Sequence, residues 1–495
     1  MLVKRNQEEI QNYLNDASNF KGTCEAVFFP ENKNELKSII REANRSKKKV
    51  TISGNGTGLT GARVPEGGIV VSTEKFNKII EINTEAGYAV VEPGVLLSEF
   101  LNELKHSGFF YPPDPTEKNC FIGGTVATNA SGAKTFKYGP TRNYVQELEV
   151  VLPTGDEVYL VRGRDIATDY KLTLTTSEGN KIVIRLPEYE LPLTKNAAGY
   201  FTAKNIDAID LFVGSEGTLG IFTKIKLKIL PLPEKVISAV IFFKNENDAL
   251  KFIEESRIIS YSARNNKIRN ELDALALEFF DRNSLQFLKS DYPNIPENAK
   301  AAVWLEQEAN DENEDSLLEK WTSFIIMHGG DEESVWFATD EKEREKISGF
   351  RHAVASKVNE YISRNNFRKL GTDVAVPDNI FITYYNEVKK LAEQSNLDYL
   401  VYGHFGNSHI HLNILPKNQS EYETGRKLYL SICDKAVENS GTISAEHGVG
   451  KLKKEYLERM LGKKVIDQMR ELKRTLDPNY ILGVGNIFSP KEFFS

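Results

Sequence analysis

Three histidines lie within eight residues, at His404, His409 and His411 in the stretch YGHFGNSHIHLNILP. A fourth, His447, follows 36 residues later in GTISAEHGVGKLK and stands beside Glu446. The chain has only seven histidines in 495 residues, so four of them share one 44-residue window. Clusters of ionisable side chains often mark functional sites. The window is typical of a metal site, of a proton-transfer site, or of half-buried aromatic packing.

The spacing of these histidines indicates which of them can meet. On a β-strand His409 and His411 share a face, because side chains alternate with a period of two. His404 precedes a turn-like GNS (406–408), and a hairpin there would return it toward His411. Neutral imidazole is a good ligand for zinc, manganese or iron, and a carboxylate adds charge. We expect chemistry here; the alternative is that one or more of these rings packs in the core with satisfied nitrogens.

Three glycine-rich stretches in the first half indicate a ligand that lies against backbone. The first, SGNGTGLTGARVPEGG (53–68), has six glycines in sixteen residues directly after a predicted strand. Glycines let backbone amides converge on an anion without a lysine. The spacing is not the Rossmann fingerprint, and a strand rather than a helix follows. One such loop alone would be an ordinary flexible loop, but further small-residue loops at 111–145 and 211–227 predict a long, extended ligand.

The surrounding elements predict an α+β fold. As far as Pro233, short β-branched runs, among them the strand-like 147–161, alternate with short helices such as 96–108, and two prolines end the strand-like 220–234. Beyond it, longer strands and helices alternate, which favours a two-layer antiparallel sandwich like the ferredoxin-like fold. Helices are predicted at 340–365, 421–439 and 453–475. We expect three parts, namely 1–233 (core 20–233), an α+β part at 234–420 with the histidine strands, and a C-terminal helical segment at 421–495.

Composition argues against several functional classes. The net charge of −7 and the pI of about 5.8 disfavour nucleic-acid binding, which needs clustered Lys and Arg. The three cysteines are widely separated and form no CxxC, so this chain alone offers no cysteine-ligated iron–sulfur cluster. The charged start MLVKRNQEEI is not a signal peptide, and no run approaches the roughly 18 apolar residues of a membrane span. These features predict a cytoplasmic protein that meets a membrane only through a partner.

The three glycine-rich stretches, in this order, resemble the flavin-binding signatures of the vanillyl-alcohol oxidase / p-cresol methylhydroxylase superfamily. YGHFGNSHIHLN, GTISAEHGVGKLK and RTLDPNYILGVGNIF resemble the C-terminal half of its D-lactate / D-2-hydroxyglutarate / glycolate dehydrogenase branch. The resemblance covers almost the whole chain. It implies a two-part FAD-binding domain at 1–233, a ferredoxin-like substrate (cap) domain at 234–420, and a C-terminal segment that returns to the flavin.

The resemblance assigns FAD contacts to three groups of residues. The pyrophosphate would lie on Ser53, Gly54, Asn55, Gly56, Thr57, Gly58, Leu59, Thr60 and Gly61. The flavin and its ribityl chain would be lined by Pro113, Asp114, Gly123, Gly124, Thr128, Asn129, Ser131, Gly132 and Tyr138. The adenosine end would lie near Glu216, Gly217 and Ile221, with Asn486 near the ring. The stretch 53–68 has no histidine, so we expect non-covalent FAD.

The resemblance also implies an active site. The ligands of a divalent metal (zinc, manganese or iron) would be His404, His411 and Glu446. His447 would accept the hydroxyl proton, and Arg351 would pair with the substrate carboxylate, a geometry that arginine favours. Asn413 follows His411 on the same strand face and is a further candidate to contact the substrate. His409 stands where many members have Asn, so it is not assigned as a ligand.

The implied activity is oxidation of a small D-2-hydroxy acid, with D-lactate as the best candidate. The hydroxyl loses a proton, more easily beside a metal, and the carbon loses a hydride to flavin N5. Electrons would pass to a non-NAD acceptor such as an electron-transfer flavoprotein, a quinone or an iron–sulfur subunit. Family members often have lysine at position 371, so Gly371 favours a monocarboxylate.

Other functions stay open at this point. The substrate is alternatively D-2-hydroxyglutarate or glycolate. A non-oxidising FAD enzyme related to the alkylglycerone-phosphate synthases is disfavoured, because those carry a run of adjacent histidines. A subunit that only relays electrons is disfavoured as well, because it would need neither metal ligands nor a general base. The long segment 161–210 is predicted to be an extra β-hairpin rather than a docking site for a partner.

Overall fold

The structure is a computed structural model that describes residues 1–338 and 340–489. The first sheet contains β1 (Leu2–Lys4), β2 (Ala26–Phe29), β3 (Val50–Ser53) and β4 (Ile69–Ser72). Its order is β1-β2-β4-β3, and the pairs β2/β4 and β3/β4 are parallel. Helix α2 (Lys33–Arg45) connects β2 to β3; Asn32 caps it, and it buries Leu36, Ile40 and Ala43 at helical spacing. The first glycine-rich loop begins at the end of β3.

A second, antiparallel sheet follows in the chain. Its strands are β5 (Ile79–Asn83), β6 (Tyr88–Val91), β8 (Val145–Val151), β9 (Glu157–Val161) and β12 (Ile221–Lys228), in the order β5-β6-β12-β8-β9. The stretch 147–161, predicted as one strand, contains two, because the turn at Gly155, with φ +83°, reverses the chain into a hairpin.

The rest of the first half consists of short elements. They are α1 (Gln7–Ile10), α3 (Leu97–His106), β7 (Phe109–Phe110), α4 (Ile122–Ala127), α5 (Thr135–Tyr138), β10 (Lys171–Thr175), β11 (Lys181–Arg185), α6 (Ala208–Phe212) and β13 (Leu230–Pro231). The predicted helix 96–108 is confirmed, with Gly108 at φ +74° just beyond its end. β10 and β11 form the hairpin predicted for the segment 161–210.

The second half is built on an eight-stranded sheet. Its strands are β14 (Lys235–Phe243), β15 (Ala274–Asp281), β16 (Ala301–Ala309), β17 (Trp336–Phe337), β18 (Leu370–Gly371), β19 (Val374–Ala375), β20 (Tyr399–Gly403) and β21 (His409–Ile414). The order β17-β14-β16-β15 is the antiparallel order of a ferredoxin-like fold, which confirms the predicted architecture. β20, β21 and β18 extend this sheet beyond β15, and β19 pairs with β21.

The second half also contains α-helices. They are α7 (Glu246–Asn266), α8 (Arg282–Leu288), α9 (Glu314–Met327), α10 (Glu341–Arg364), α11 (Phe381–Gln394), α12 (Gln419–Glu438) and α13 (Lys454–Leu476). The helices predicted at 340–365 and 421–439 are confirmed, whereas the helix predicted at 453–475 is interrupted at Gly462 (φ 76°, ψ 158°). Among the described residues, no helix combines the length and apolar character that a membrane crossing requires.

The C-terminal segment returns to the first sheet. Leu482 forms a bridge with Val50 in β3, and the Gly483 amide donates to the Val50 carbonyl at 2.9 Å. This return places residues 482–486 beside the first glycine-rich loop. The division at 233 and 420 stays a prediction.

Candidate active site

A tight turn between β20 and β21 brings the histidines together. His404 follows β20, a single helical turn spans Phe405–Asn407, and Ser408 at φ +53° reverses the chain. The two strands are antiparallel, with Tyr402 opposite His411. The rings of His404 and His411 therefore lie 5.5 Å apart, as the hairpin interpretation predicts.

The side chain of Glu446 faces both of these imidazoles. Its Oε1 lies 3.3 Å from Nε2 of His404 and 3.2 Å from Nε2 of His411. Each Nδ1 has a partner that can only accept a hydrogen bond, the Glu278 carboxylate at 2.6 Å and the Thr372 carbonyl at 2.9 Å. Both Nδ1 atoms therefore carry hydrogen, and in the neutral rings the Nε2 lone pairs point toward Glu446. Two nitrogens and one carboxylate oxygen so arranged fit a divalent metal.

Charge in this cluster is compensated. Burial alone would raise the pKa of Glu446, but Lys195 and His404 hold it well below its usual range. Burial likewise opposes ionisation of Glu278, but His404 and Arg351 lower its pKa to about 2. Burial lowers the pKa of His404, yet the charges of Glu278 and Glu446 outweigh it and raise that pKa. Both carboxylates are thus ionised at neutral pH, as required for Glu446 to bind a metal and for Glu278 to orient His404.

Arg351 contacts the cluster through Glu278. Its Nε and Nη2 donate to Glu278 Oε2 at 3.1 and 2.9 Å, and its Nη1 donates to Thr116 Oγ1 at 2.7 Å. The guanidinium thus orients the carboxylate that orients His404. Its role as the partner of a substrate carboxylate stays a prediction.

Lys195 is a residue of the site that the sequence interpretation missed. It lies in the loop after the β10–β11 hairpin, with only 5% of its side chain exposed. Its ammonium donates to Glu446 Oε2 at 2.7 Å and lies 3.4 Å from Nδ1 of His409. The Nε2 of His409 lies 2.9 Å from Asp373 Oδ1, so both of its ring nitrogens have protein partners. This supports leaving His409 out of the ligand set, although its ring lies within 4.8 Å of the other ligand atoms.

Asp373, also missed, holds the segment that carries Glu446 and His447. It is fully buried and accepts hydrogen bonds from both of their backbone amides, at 3.2 and 3.0 Å. The Lys453 ammonium donates to its Oδ2 at 2.8 Å. His447 lies next to it, with Nδ1 3.5 Å from Asp373 Oδ2 and Nε2 3.4 Å from Glu446 Oε1. With 24% of its side chain exposed, His447 is the most open of the four clustered imidazoles.

Replacing Asp373 with Asn should lower the free energy of unfolding by about 3 kcal/mol, because it leaves the buried Lys453 without its counter-charge. The measurement is a urea or thermal unfolding curve at pH 7. Asp311→Asn is the control, since Asp311 forms an ion pair that is largely exposed and its loss should leave the unfolding curve nearly unchanged. Equal stability of the two variants would contradict the prediction.

All three glycine-rich stretches contact the segment 446–451. The Thr60 carbonyl of the first accepts the Lys451 amide at 2.9 Å, and the Ser131 hydroxyl of the second donates to Glu446 at 3.3 Å. In the third, the Glu216 carboxylate accepts the amides of Val449 and Gly450, at 2.7 and 2.6 Å. The loops therefore converge on the segment that carries Glu446 and His447.

The remaining predicted cofactor residues line or support this arrangement. Asn486 donates from Nδ2 to the Ala62 and Glu216 carbonyls, which ties the C-terminal segment to two of the loops. Asn55 donates to the Asn119 carbonyl, and Gly132 packs on the backbone of Asp114. The others lie in the same loops or at their edges, namely Ser53, Gly54, Gly56, Thr57, Gly58, Leu59, Gly61, Pro113, Gly123, Gly124, Thr128, Asn129, Tyr138, Gly217 and Ile221. Two of the predicted cofactor residues use their polar groups on protein partners instead. The Tyr138 hydroxyl donates to Glu308, and the Glu216 carboxylate accepts from backbone amides.

The glycines leave room for a ligand. A Cβ added at Gly124 would meet nothing within 4 Å, and one at Gly54 would first meet Phe121 at 4.0 Å. The open backbone at these two positions fits the close approach of an extended cofactor such as FAD, whereas a Cβ at Gly56, Gly123 or Gly132 would meet protein atoms within 3 Å.

Replacing Gly450 with Ala should weaken FAD binding at least about tenfold. Gly450 has φ +51°, and an added Cβ would collide with the Thr60 carbonyl, so the first loop would have to move. The measurement is the ratio of FAD to protein after gel filtration. Gly67→Ala is the matched control, because Gly67 also has positive φ (+83°) but nothing within 4 Å of the added atom. Equal FAD retention in both variants would contradict the prediction.

Two family descriptions match this chain. The FAD binding domain matches residues 24–160, and the C-terminal domain of FAD linked oxidases matches residues 232–487. The second match alone spans more than half of the 495 residues. The chain belongs to the FAD-linked oxidases. The predictions of the family, of FAD as cofactor and of an oxidoreductase are thereby confirmed.

Relatives of this FAD-linked oxidase match along nearly their whole length. The glycolate oxidase subunit GlcD of Bacillus subtilis is 31% identical over 96% of this chain and 92% of its own. A D-lactate dehydrogenase of Anaerostipes hadrus is 30% identical over 92% of this chain and 87% of its own. The structure of 4-ethylphenol oxidase from Gulosibacter chungangensis shares the fold, with a TM-score of 0.68 over 99% of this chain and 95% of its own at 16% identity.

The two family matches leave residues 161–231 of this FAD-linked oxidase between them. Lys195 and Glu216 both lie in that interval, and both contact the 446–450 segment. Lys195 lies in the segment 161–210 that is predicted to be an extra hairpin, so this segment also supplies a buried charged group to the site. A lysine between two alternating strand patterns gives no sequence signal of this, because lysines there are usually solvated.

Proposed function

We propose that this protein oxidises a D-2-hydroxy acid, with D-lactate as the best candidate, to the 2-oxo acid with the help of FAD and a divalent metal. The observation that carries the proposal is the meeting of His404, His411 and Glu446 beside a half-open His447. The glycine-rich loops contact the segment 446–451, which carries Glu446 and His447, so the flavin and the metal would lie close together. Relatives named for glycolate and D-lactate oxidation support the substrate class.

Each part of this site has a task in removing two electrons and a proton from an alcohol. When bound, FAD accepts the hydride and the metal favours loss of the hydroxyl proton. His447 would take that proton, since its ring is the exposed one beside the ligand carboxylate and imidazole suits proton transfer near neutral pH. The proton and the hydride together account for the two hydrogens that the acid loses.

The electrons would leave this chain to a separate acceptor. The three cysteines, Cys24, Cys120 and Cys433, are all buried and far apart in sequence, and no dinucleotide fingerprint is present in the sequence. An electron-transfer flavoprotein, a quinone or an iron–sulfur subunit is the proposed class of acceptor. The predicted cytoplasmic location stays part of this proposal.

The test is the visible spectrum of the purified holoenzyme under nitrogen, before and after addition of D-lactate. Bleaching of the flavin by D-lactate but not by L-lactate supports the proposal. The same titration with glycolate and D-2-hydroxyglutarate ranks the acids by the concentration that gives half-reduction. A flavin that stays oxidised with every 2-hydroxy acid would overturn the proposal and favour a non-oxidising or relay role.

A further inference from the structure

Lys369 lies at the edge of the candidate site, just before β18. β18 pairs with β21 so that Gly371 stands opposite Asn413. A Cβ at Gly371 would lie 3.1 Å from Cε of Lys369 and 2.6 Å from Oδ1 of Asn413. The Lys369 side chain therefore occupies the space that the missing side chain at position 371 leaves free, directly beside Asn413.

The ammonium of Lys369 lacks a counter-charge. Its hydrogen-bond acceptor is the neutral Asn359 Oδ1 at 3.1 Å, and within residues 1–338 and 340–489 no carboxylate forms an ion pair with it. Burial lowers the pKa of Lys369 to about 8, against the opposing effect of the Glu446 and Asp373 charges. Every other cation of the cluster, namely Arg351, Lys195 and Lys453, is paired with a carboxylate.

Asn413 offers the matching polar group. The group that can donate to a carboxylate is its Nδ2, which lies 3.4 Å from the His411 carbonyl and also interacts with the Tyr402 hydroxyl. Its buried Oδ1, which can only accept, has no hydrogen-bond partner among the described residues. Buried amides are normally satisfied, so the Oδ1 has room to accept from a ligand hydroxyl while the Nδ2 donates to a ligand carboxylate. Asn413 follows the metal ligand His411 by two residues on the same strand face.

We propose that Lys369, with Asn413 beside it, binds a carboxylate of the substrate, and that Gly371 is small so that the lysine can reach the site. The inference rests on the proposed function and names the group that recognises the acid. It assigns to Lys369 the role that the sequence interpretation gives to Arg351, whose guanidinium is taken up by Glu278 and Thr116. It also removes the reason for expecting a monocarboxylate from Gly371, because a lysine is present two residues earlier.

The test uses the FAD-loaded, metal-loaded full chain with Lys369→Gln, Lys369→Arg and the exposed control Lys390→Gln. We expect Lys369→Gln to raise KM at least about tenfold with kcat within about twofold, since a charge-assisted bond held through the reaction affects binding alone. Lys369→Arg should recover most of the affinity, and Lys390→Gln should match the natural protein. Gly371→Ala should also raise KM with all charges intact, because it displaces Lys369 and Asn413.

Calorimetric binding of pyruvate and 2-oxoglutarate to the oxidised proteins runs in parallel and does not depend on turnover. Weaker binding of both oxo acids to Lys369→Gln assigns Lys369 to the carboxylate next to the reacting carbon, and weaker binding of 2-oxoglutarate alone assigns it to the far carboxylate. Unchanged KM and binding, or a loss in kcat alone, would overturn the inference. Failure of the natural protein to bind either acid would overturn it as well. Normal acid oxidation with unchanged Lys369→Gln constants would overturn the inference and leave the proposed function intact.

Discussion

His447→Asn should lower turnover with the best 2-hydroxy acid about 1,000-fold while FAD stays bound. General-base catalysis contributes roughly 100- to 10,000-fold, and asparagine cannot accept a proton at neutral pH. The ring of His447 is bordered by Glu446 and Asp373 and has the largest exposed fraction of the four clustered histidines. Asparagine is of similar size, so the backbone bonds from this segment to Asp373 should persist.

The measurement is anaerobic flavin reduction in a stopped-flow instrument, together with the FAD-to-protein ratio. His106→Asn serves as the control, because His106 is exposed on α3 in the first half of the chain. The variant should keep the full flavin spectrum and bind the 2-oxo acid normally. A reduction rate within tenfold of the natural protein would remove His447 from the proton-transfer role.

His411→Ala should lose bound metal and activity together. The Nε2 of His411 is one of only three donor atoms in the proposed ligand set, so its loss should weaken metal binding at least about 100-fold, more than the 10- to 100-fold typical of outer supporting groups. Its Nδ1 is held by the Thr372 carbonyl, which fixes the ring for this purpose. His404→Ala should have the same effect.

Metal content of the purified proteins, determined by mass spectrometry after dialysis, is the readout, and added zinc, manganese or iron tests for recovery. His409→Asn is the matched control on the same strand face. Both nitrogens of His409 are engaged by Asp373 and Lys195, so this variant should retain the metal. If His411→Ala keeps the metal, or if His409→Asn loses it, the ligand set is wrong.

The sequence determined the local features of this protein. A period of two placed His409 and His411 on one strand face, and the GNS turn returned His404, because these geometries depend only on neighbouring residues. Glycine-rich loops after strands marked the cofactor region for the same reason. The misread elements were also local. A Gly155 turn splits 147–161, and Gly462 interrupts the last helix, since a single glycine can end an otherwise regular pattern.

Only the tertiary structure decided which distant charges complete the site. Glu278, Asp373 and Lys195 are 126, 31 and 209 residues away from His404 along the chain, and nothing near them in sequence distinguishes them from surface residues. Each is buried against the cluster only because β15, β18–β19 and the loop after β11 pack around the β20–β21 turn. The tertiary structure likewise placed Arg351 on Glu278 and left Lys369 without a counter-charge. The sequence determines side-chain type and local periodicity directly. The pairing of buried charges depends on which helices, strands and loops pack together, and that is a property of the whole fold.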